Sequence, residues 1–279
     1  MTGIFVTATG TDIGKTYVTC QLLACDAQNA RVLSASKPII SGWPPDEKDI
    51  QQTDTGRLLQ AMGLPCSLAL INKISPWRFS APLTPSMAAQ KAGKEIVIKD
   101  LIAYSHQLLD IYPQQMISRL GGERSSNPTP LRSYVGKANL VLRSLGEAGN
   151  TEDSSVKGIK IHLLEGVGGV MAPIWQEFTV IDWIQSLGCA AILVAGSYLG
   201  TLSHTLTAIR CLQTAGIPIV AVVINESEDS PVSLAETATY FRSHLEPLAV
   251  FTLPREATHQ TVLPLYHYLL KSFETKLTL

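Results

Sequence analysis

A chain of 279 residues that is 46% hydrophobic and 16% charged carries enough apolar mass for a sizeable folded core, which excludes disorder of the whole. Its 22 Lys and Arg nearly balance 23 Asp and Glu, and the net charge of −1 implies no sequence-independent attraction to nucleic acid or anionic lipid. Small-molecule chemistry is the natural default.

The chain opens on Ile4-Phe5-Val6, a short apolar run expected as a buried strand, and then reads TATGTDIGKT from Thr7 to Thr16. Gly14-Lys15-Thr16 ends the stretch as a phosphate-binding loop ends. The common form G-x-x-x-x-G-K-[ST], however, has its first glycine five residues before Gly14, where Thr9 stands. Gly10, Gly14 and the small Ala8 let backbone amides turn toward an anion with a helix N-terminus behind them. Lys15 is expected to reach phosphate oxygens, and the Thr16 hydroxyl to sit on Mg²⁺. Val18, Leu22 and Cys25 then recur at helical spacing.

Next comes ASKPIISG, Ala35 to Gly42, after a second strand, with Pro38 stiffening the loop. Lys37, at a strand end beside a phosphate loop, is a candidate cation for a transferring phosphoryl group. Ile98, Leu101, Ile102, Leu108 and Leu109 mark a further helix. From Gly121 to Gly158 the text is rich in Gly, Ser, Asn and Pro with one amphipathic island at Val135 to Leu145, which predicts an inserted, partly mobile segment and no second domain. Ile159 to Leu164 reads as a strand, and LLEGVGG places Glu165 and a glycine-rich turn at its carboxyl end. There a carboxylate can hold Mg²⁺ and bare backbone can approach a nucleotide.

Cys189 to Ala195, Pro218 to Ile224 and Leu248 to Leu253 complete the apolar strands, and Leu202, Leu206, Ile209 and Leu212 repeat as a helix. This alternation predicts one α/β domain over residues 1–279, with a parallel sheet, helices on both faces and ligands beyond the carboxyl ends of the strands. Five cysteines, odd in number and never arranged as C-x-x-C, are expected as reduced thiols. No leader precedes the first strand, and the longest apolar run, around Cys189 to Gly200, is too short and glycine-rich to span a bilayer. The expectation is a cytoplasmic protein.

Taken together, these pieces resemble the dethiobiotin synthetase family, ATP-dependent P-loop enzymes that close the ureido ring in biotin synthesis. The family loop, typically G-T-D-T-x-V-G-K-T, is one residue longer than the common form. The aligned text here runs from Ala8 to Thr16, with Ala8 for the family glycine and Gly10 for its aspartate. Lys37-Pro38 and Ser41-Gly42 look like the family's K-P-x-x-S-G, whose lysine assists catalysis and whose serine contacts the diamine substrate. Asp54, in QQTDTGRLLQ, matches its acidic magnesium ligand. Glu165 to Gly168 matches E-G-A-G, with Val167 replacing alanine. APLTPSMAA, Ala81 to Ala89, resembles P-x-[ST]-P-H-x-A-A but carries Ser86 where histidine is frequent. LGTLSH, Leu199 to His204, resembles a loop that caps the substrate's carboxylate end from the opposite subunit of a homodimer.

The resemblance implies a P-loop NTPase-like fold and a binding site for ATP with Mg²⁺. Nucleotide contacts carry over to Asp12, Ile13, Gly14, Lys15, Thr16 and Tyr17, to Asp54, and to Glu165, Gly166, Val167 and Gly168. Asn225, Glu226, Pro254, Arg255 and Glu256 carry over as its base end. Thr16, Asp54 and Glu165 are the implied metal ligands, and Lys37 and Lys15 the catalytic cations. Substrate contacts fall on Thr11, Lys37 and Ser41, and on Leu199, Gly200, Thr201, Leu202 and Ser203 from the partner subunit. The implied reaction joins 7,8-diaminononanoate, CO2 and ATP into dethiobiotin, ADP and phosphate.

Two alternatives share the loop. Cobyrinate-type synthases add a glutaminase half with a cysteine nucleophile, for which this chain is expected to have no length left. MinD/ParA-type ATPase switches often carry an additional lysine early in the loop, where Thr or Ala stands here, and a membrane-seeking tail. The tail LLKSFETKLTL has only a weak, short pattern.

Overall fold

The computed structural model describes residues 2–109, 160–228 and 230–277, and the expected insertion at 121–158 lies outside the described residues. Strand β1 (Thr2–Ala8) leads into α1 (Lys15–Ala27) and β2 (Leu33–Ser36). A small parallel pair, β3 (Ile39–Ser41) and β4 (Trp77–Phe79), brackets a 3₁₀ turn (Glu47–Gln52), α2 (Asp54–Ala61) and α3 (Leu68–Ile74). After these come α4 (Pro85–Lys91) and α5 (Ile98–Leu109). The described chain resumes with β5 (Ile161–Glu165), the hairpin β6 (Pro173–Trp175) and β7 (Phe178–Thr179), and α6 (Val180–Leu187). It finishes with β8 (Ala190–Ala195), α7 (Thr201–Thr214), β9 (Ile219–Asn225), α8 (Leu234–His244), β10 (Val250–Leu253) and α9 (His259–Leu277).

Six strands pair in the order β10-β9-β8-β1-β5-β2, every pair parallel. A parallel sheet is covered on both faces, so its inner strands read as unbroken apolar runs: β8 is AAILVA, buried at every position. The expected strand runs fall in β1, β5, β8, β9 and β10. Successive side chains of β1 divide between two cores. Phe5 joins Leu164, Leu193 and Val222 beneath α5 to α8, while Ile4, Val6 and Ala8 join Leu163, Ile192 and Val223 beneath α1, α2, α3 and α9. Phe5 meets the fully buried Trp183 of α6 edge to face, with ring centroids 5.0 Å apart, and the Trp183 indole N–H donates to Ser105 at 3.0 Å.

Of the tail LLKSFETKLTL, Leu269 and Phe273 lie on α9, a helix that docks on the core. Val262, Leu265, Tyr266, Leu269 and Phe273 of α9 are buried in the core that holds α1, and the Tyr266 hydroxyl donates to the Asp26 carboxylate at 2.9 Å. The described apolar face of α9 is therefore packed on the protein's own core. No described helix is long and apolar enough to cross a membrane, and all five cysteines are free thiols.

One buried group ties stability to pH. His162 of β5 faces the edge strand β2, with Ser34 Oγ 2.9 Å from Nδ1 and Ser36 Oγ 2.8 Å from Nε2, and burial lowers its pKa to about 4. Unfolded, the ring takes a proton near its ordinary value of about 6.5. Between those values the unfolded chain binds a proton that the native chain refuses, so stability is full above pH 6.5 and falls as pH drops toward 4. In urea titrations, wild type should lose about 2 kcal/mol more than His162→Gln between pH 7.5 and pH 5. Parallel pH profiles would show that His162 protonates in place.

Candidate active site

The carboxyl ends of β1, β2 and β5 meet at one place, beside the position where strand order reverses around β1. The loop after β1 is pinned on two sides: Thr9 N–H donates to Val194 O of β8 at 3.0 Å, and Val170 N–H donates to Ala8 O at 3.1 Å. Asp12 and Gly14 adopt left-handed backbone, φ 56° and 103°. At Gly14 space matters as well as conformation, because a Cβ there would stand 2.2 Å from Asn225 Nδ2, which would have to move. That same amide donates to Ile13 O at 3.0 Å. Gly14 thus turns the chain into α1 without a side-chain cap, and the amides of the first turn remain to meet an anion.

Lys15, the first residue of α1, is buried and donates to Gly10 O at 3.1 Å and Gly168 O at 2.7 Å, so it bridges the turn after β1 and the turn after β5. Burial, reinforced by repulsion from Lys37, lowers its pKa to about 8. Lys37, just past β2 and 5% exposed, lies 2.6 Å from both Asp54 Oδ2 and Glu165 Oε1. Burial works against its charge, but the attraction of Glu165 and Asp54 outweighs that and raises its pKa above the ordinary lysine value. Asp54 opens α2; burial pushes its carboxyl up, and the Lys37 ammonium overcomes this and holds it below the usual range. Glu165 closes β5 at 0% exposure and also accepts the Thr16 hydroxyl at 2.6 Å.

Lys15, Thr16, Lys37, Asp54 and Glu165 therefore gather in one cluster, in which Lys15, Lys37 and Glu165 are buried and Thr16 and Asp54 half-buried. Two carboxylates and a hydroxyl are hard oxygen donors suited to Mg²⁺, and Glu165 Oε2, buried without a partner, leaves a donor atom to spare. The residues fit such an ion. The set depends on the hydroxyl, since no three His, Cys, Asp or Glu gather as a metal cluster among the described residues.

Around this group, Thr11 is exposed on the loop, and Gly166, Val167 and Gly168 form the turn behind Lys15, with Gly168 at φ 64°. Ser41 ends β3 with its hydroxyl buried and without a hydrogen-bond partner, as is the hydroxyl of Thr84 beside α4. Neither condition is legible locally. Thr84 stands at a helix start where a capping bond would be expected, and its side chain makes none.

Two further stretches carry expected contacts. Asn225 ends β9 and Glu226 follows it, and Glu226 Oε2 accepts Arg255 N–H at 3.0 Å, fastening the loop after β10 that holds Pro254, Arg255 and Glu256. The other stretch, Leu199 to Ser203, forms the entry to α7 through a left-handed Gly200, φ 93°. Leu199 is 83% exposed, whereas Thr201 is buried with its hydroxyl donated to Gly196 O at 2.6 Å. Among the described residues, no hydrogen bond or ion pair joins this entry to the Lys37 group. The sequence reading missed its brace: Ser197 N–H donates to Ser227 Oγ and Ser227 N–H to Ser197 Oγ, each at 3.0 Å. Only the serine in each strand-following loop hinted at it.

A family model described as an AAA domain matches residues 2–114 and 153–260. The chain is 34% identical over 256 residues to the ATP-dependent dethiobiotin synthetase BioD of Phenylobacterium zucineum, covering 91% of this chain and 89% of that protein. It is 35% identical over 250 residues to the protein of the same name from Acidiphilium cryptum, covering 88% and 89%. Among solved structures, the MinC:MinD cell division complex of Aquifex aeolicus aligns with a TM-score of 0.40 at 10% identity, covering 92% of this chain and 82% of that one.

Proposed function

The chain belongs to the ATP-dependent dethiobiotin synthetase family, and on that footing we propose that it converts 7,8-diaminononanoate, CO2 and ATP into dethiobiotin, ADP and phosphate. The observation that carries the reading is the cluster of Lys15, Thr16, Lys37, Asp54 and Glu165 behind an uncapped helix start.

One amine of the diamine attacks CO2 and loses a proton to give a carbamate. A carbamate oxygen then attacks the γ-phosphorus, and ADP leaves. The second amine attacks the carbonyl carbon, expels phosphate and gives up its proton as the ring closes. Carbamate and ATP are both anionic, so bringing them into line is an electrostatic problem before it is a chemical one. The amides of Gly14 to Thr16 and the Lys15 ammonium would receive the phosphates. Lys37, kept charged by its two carboxylates, acts as a fixed cation and not as a base. Thr16, Asp54 and Glu165 would hold Mg²⁺, which when bound supplies further neutralisation across the phosphate oxygens. Thr11 and the unpartnered Ser41 hydroxyl would face the diamine.

Asn225, Glu226 and the loop of Pro254 to Glu256 would line the base end. A homodimer belongs to this reading, in which Leu199 to Ser203 of one subunit meet the far carboxylate of the substrate in the other. In its support, the amides at the start of α7 have no side-chain cap. Free cysteines suit a reducing cytoplasm.

The purified chain supplied with diaminononanoate, bicarbonate and MgATP should release dethiobiotin and ADP in equal amounts, and excess EDTA should abolish both. ATP hydrolysis without dethiobiotin would overturn the assignment. Sedimentation equilibrium should give twice the chain mass, and a monomer at assay concentration would remove the shared site. Fractionated cells should yield the protein with the cytoplasm.

A further inference from the structure

Tyr17 follows the Lys15-Thr16 pair on α1, yet its side chain serves a loop some 240 residues away in sequence. The phenol oxygen lies 2.9 Å from Pro254 O and 2.7 Å from Arg255 O, and it accepts Ala257 N–H at 3.0 Å. A phenol has one proton, so the hydroxyl donates to the two carbonyls in turn while its lone pair keeps the amide. Three backbone groups of the loop after β10 are tied to one side chain, although Arg255 and Glu256 themselves are exposed.

The opposite side of the loop is fastened separately. Glu226 accepts Arg255 N–H at 3.0 Å and donates its own N–H to Leu253 O at 2.9 Å, while the neighbouring Asn225 holds Ile13 O of the phosphate loop. Tyr17 thus ties the first turn of α1 directly to residues 254–257, while Asn225 ties the end of β9 to the phosphate loop and its neighbour Glu226 completes an indirect link to the same residues. The spacing between the phosphate-binding amides and residues 254–257 is set by these side chains, and a loop held in place loses less conformational freedom when a ligand arrives.

We infer that Tyr17 is a positioning residue for the base end of the nucleotide site: its hydroxyl holds residues 254–257 at a fixed distance from the phosphate loop, so that base and phosphates are gripped together. This rests on the reading that the 254–256 loop lines the nucleotide. It differs from a merely structural role, because a hydroxyl that only stabilised the fold would alter melting and leave ligand affinities alone. It also differs from a role in the phosphate cradle, because a small anion that never reaches residue 254 would then feel the loss.

The test compares wild type with Tyr17→Phe, which removes the hydroxyl and keeps the ring. Calorimetric titration with ADP should show affinity lowered about tenfold, equivalent to about 1.4 kcal/mol. Inorganic pyrophosphate, a probe confined to the phosphate loop, should bind both proteins within twofold. In turnover assays, KM for ATP should rise about tenfold while kcat stays within twofold. ADP affinity within twofold of wild type, or equal losses for ADP and pyrophosphate, would overturn the inference.

Amide hydrogen exchange supplies a measurement that needs no variant: in wild type, ADP should slow exchange at Arg255, Glu256 and Ala257, and no change there would sink the idea even if Tyr17→Phe failed to fold. Failure of the proposed function looks different. A wild type that binds ADP but forms no dethiobiotin would refute the synthetase reading and leave the Tyr17 clasp standing.

Discussion

Replacing Lys37 by alanine is expected to lower kcat by at least about 100-fold, the usual cost of removing one preorganised charge aimed at a transition state. It should also destabilise the fold by about 3 kcal/mol, because Lys37 neutralises the 0% exposed Glu165 and removing one partner of a buried pair strands the other. For a domain of this size that is a fall in melting temperature of about 6–12 °C. ADP affinity should stay within about threefold, since Lys15 and the loop amides remain. The substitution Lys37→Arg separates the two effects: a cation again sits between Asp54 and Glu165, so melting recovers, but the planar guanidinium places its charge differently and turnover does not. Steady-state rates with saturating substrates, calorimetry with ADP and thermal melts provide the three readings. An alanine variant with kcat within threefold of wild type would remove Lys37 from the chemistry.

The double contact of Lys37 also shows where sequence reasoning reaches and where it stops. Glu165 was legible because a lone carboxylate ending an apolar strand before glycines has few structural uses. Lys37 was legible as a cation at a strand end. Their pairing was not, for it depends on β2 lying next to β5, with Ser36 opposite Leu164, and no local pattern encodes the order of strands in a sheet. Asp54 gave no physical signal of its own. It is an acidic residue in the first turn of α2, a common place for one, and only the resemblance to a family singled it out.

Strands β1, β5, β8, β9 and β10 were readable because burial in the sheet leaves their runs largely apolar. The pairs β3 with β4 and β6 with β7 were not, since two or three residues cannot display a period of two. Helix α9 shows a related limit: its pattern is interrupted by Pro264, yet Val262, Leu265, Tyr266, Leu269 and Phe273 pack into the core that holds α1. Asn225 combined both limits: its place at the end of an apolar strand was plain, and its grip on Ile13, 212 residues earlier, was not.

That grip makes Gly14 the position where a single methyl group should do the most harm to nucleotide binding. An alanine at φ 103° bears the left-handed penalty of about 1–2 kcal/mol. Its Cβ would also fall 2.2 Å from Asn225 Nδ2, so either the amide leaves Ile13 O or the first turn of α1 shifts. Both outcomes move the amides that receive phosphate, and losing two hydrogen bonds to a charged group, at about 1.5 kcal/mol or more each, costs on the order of 100-fold. Gly14→Ala is therefore expected to lower ADP affinity at least about 100-fold while the protein still folds, its core being untouched. Gly63→Ala is the control for backbone strain alone: φ is 69° and nothing lies within 4 Å of the new Cβ, so stability should drop by about 1 kcal/mol with ADP affinity unchanged. Combining Gly14→Ala with Asn225→Ala removes the atom that the methyl strikes. If the clash is what matters, the double variant should lose less ADP affinity than the sum of the two single losses. Additive losses would show that Asn225 and Gly14 act independently, and a Gly14→Ala protein that binds ADP within threefold of wild type would show that the left-handed turn is not what shapes the cradle.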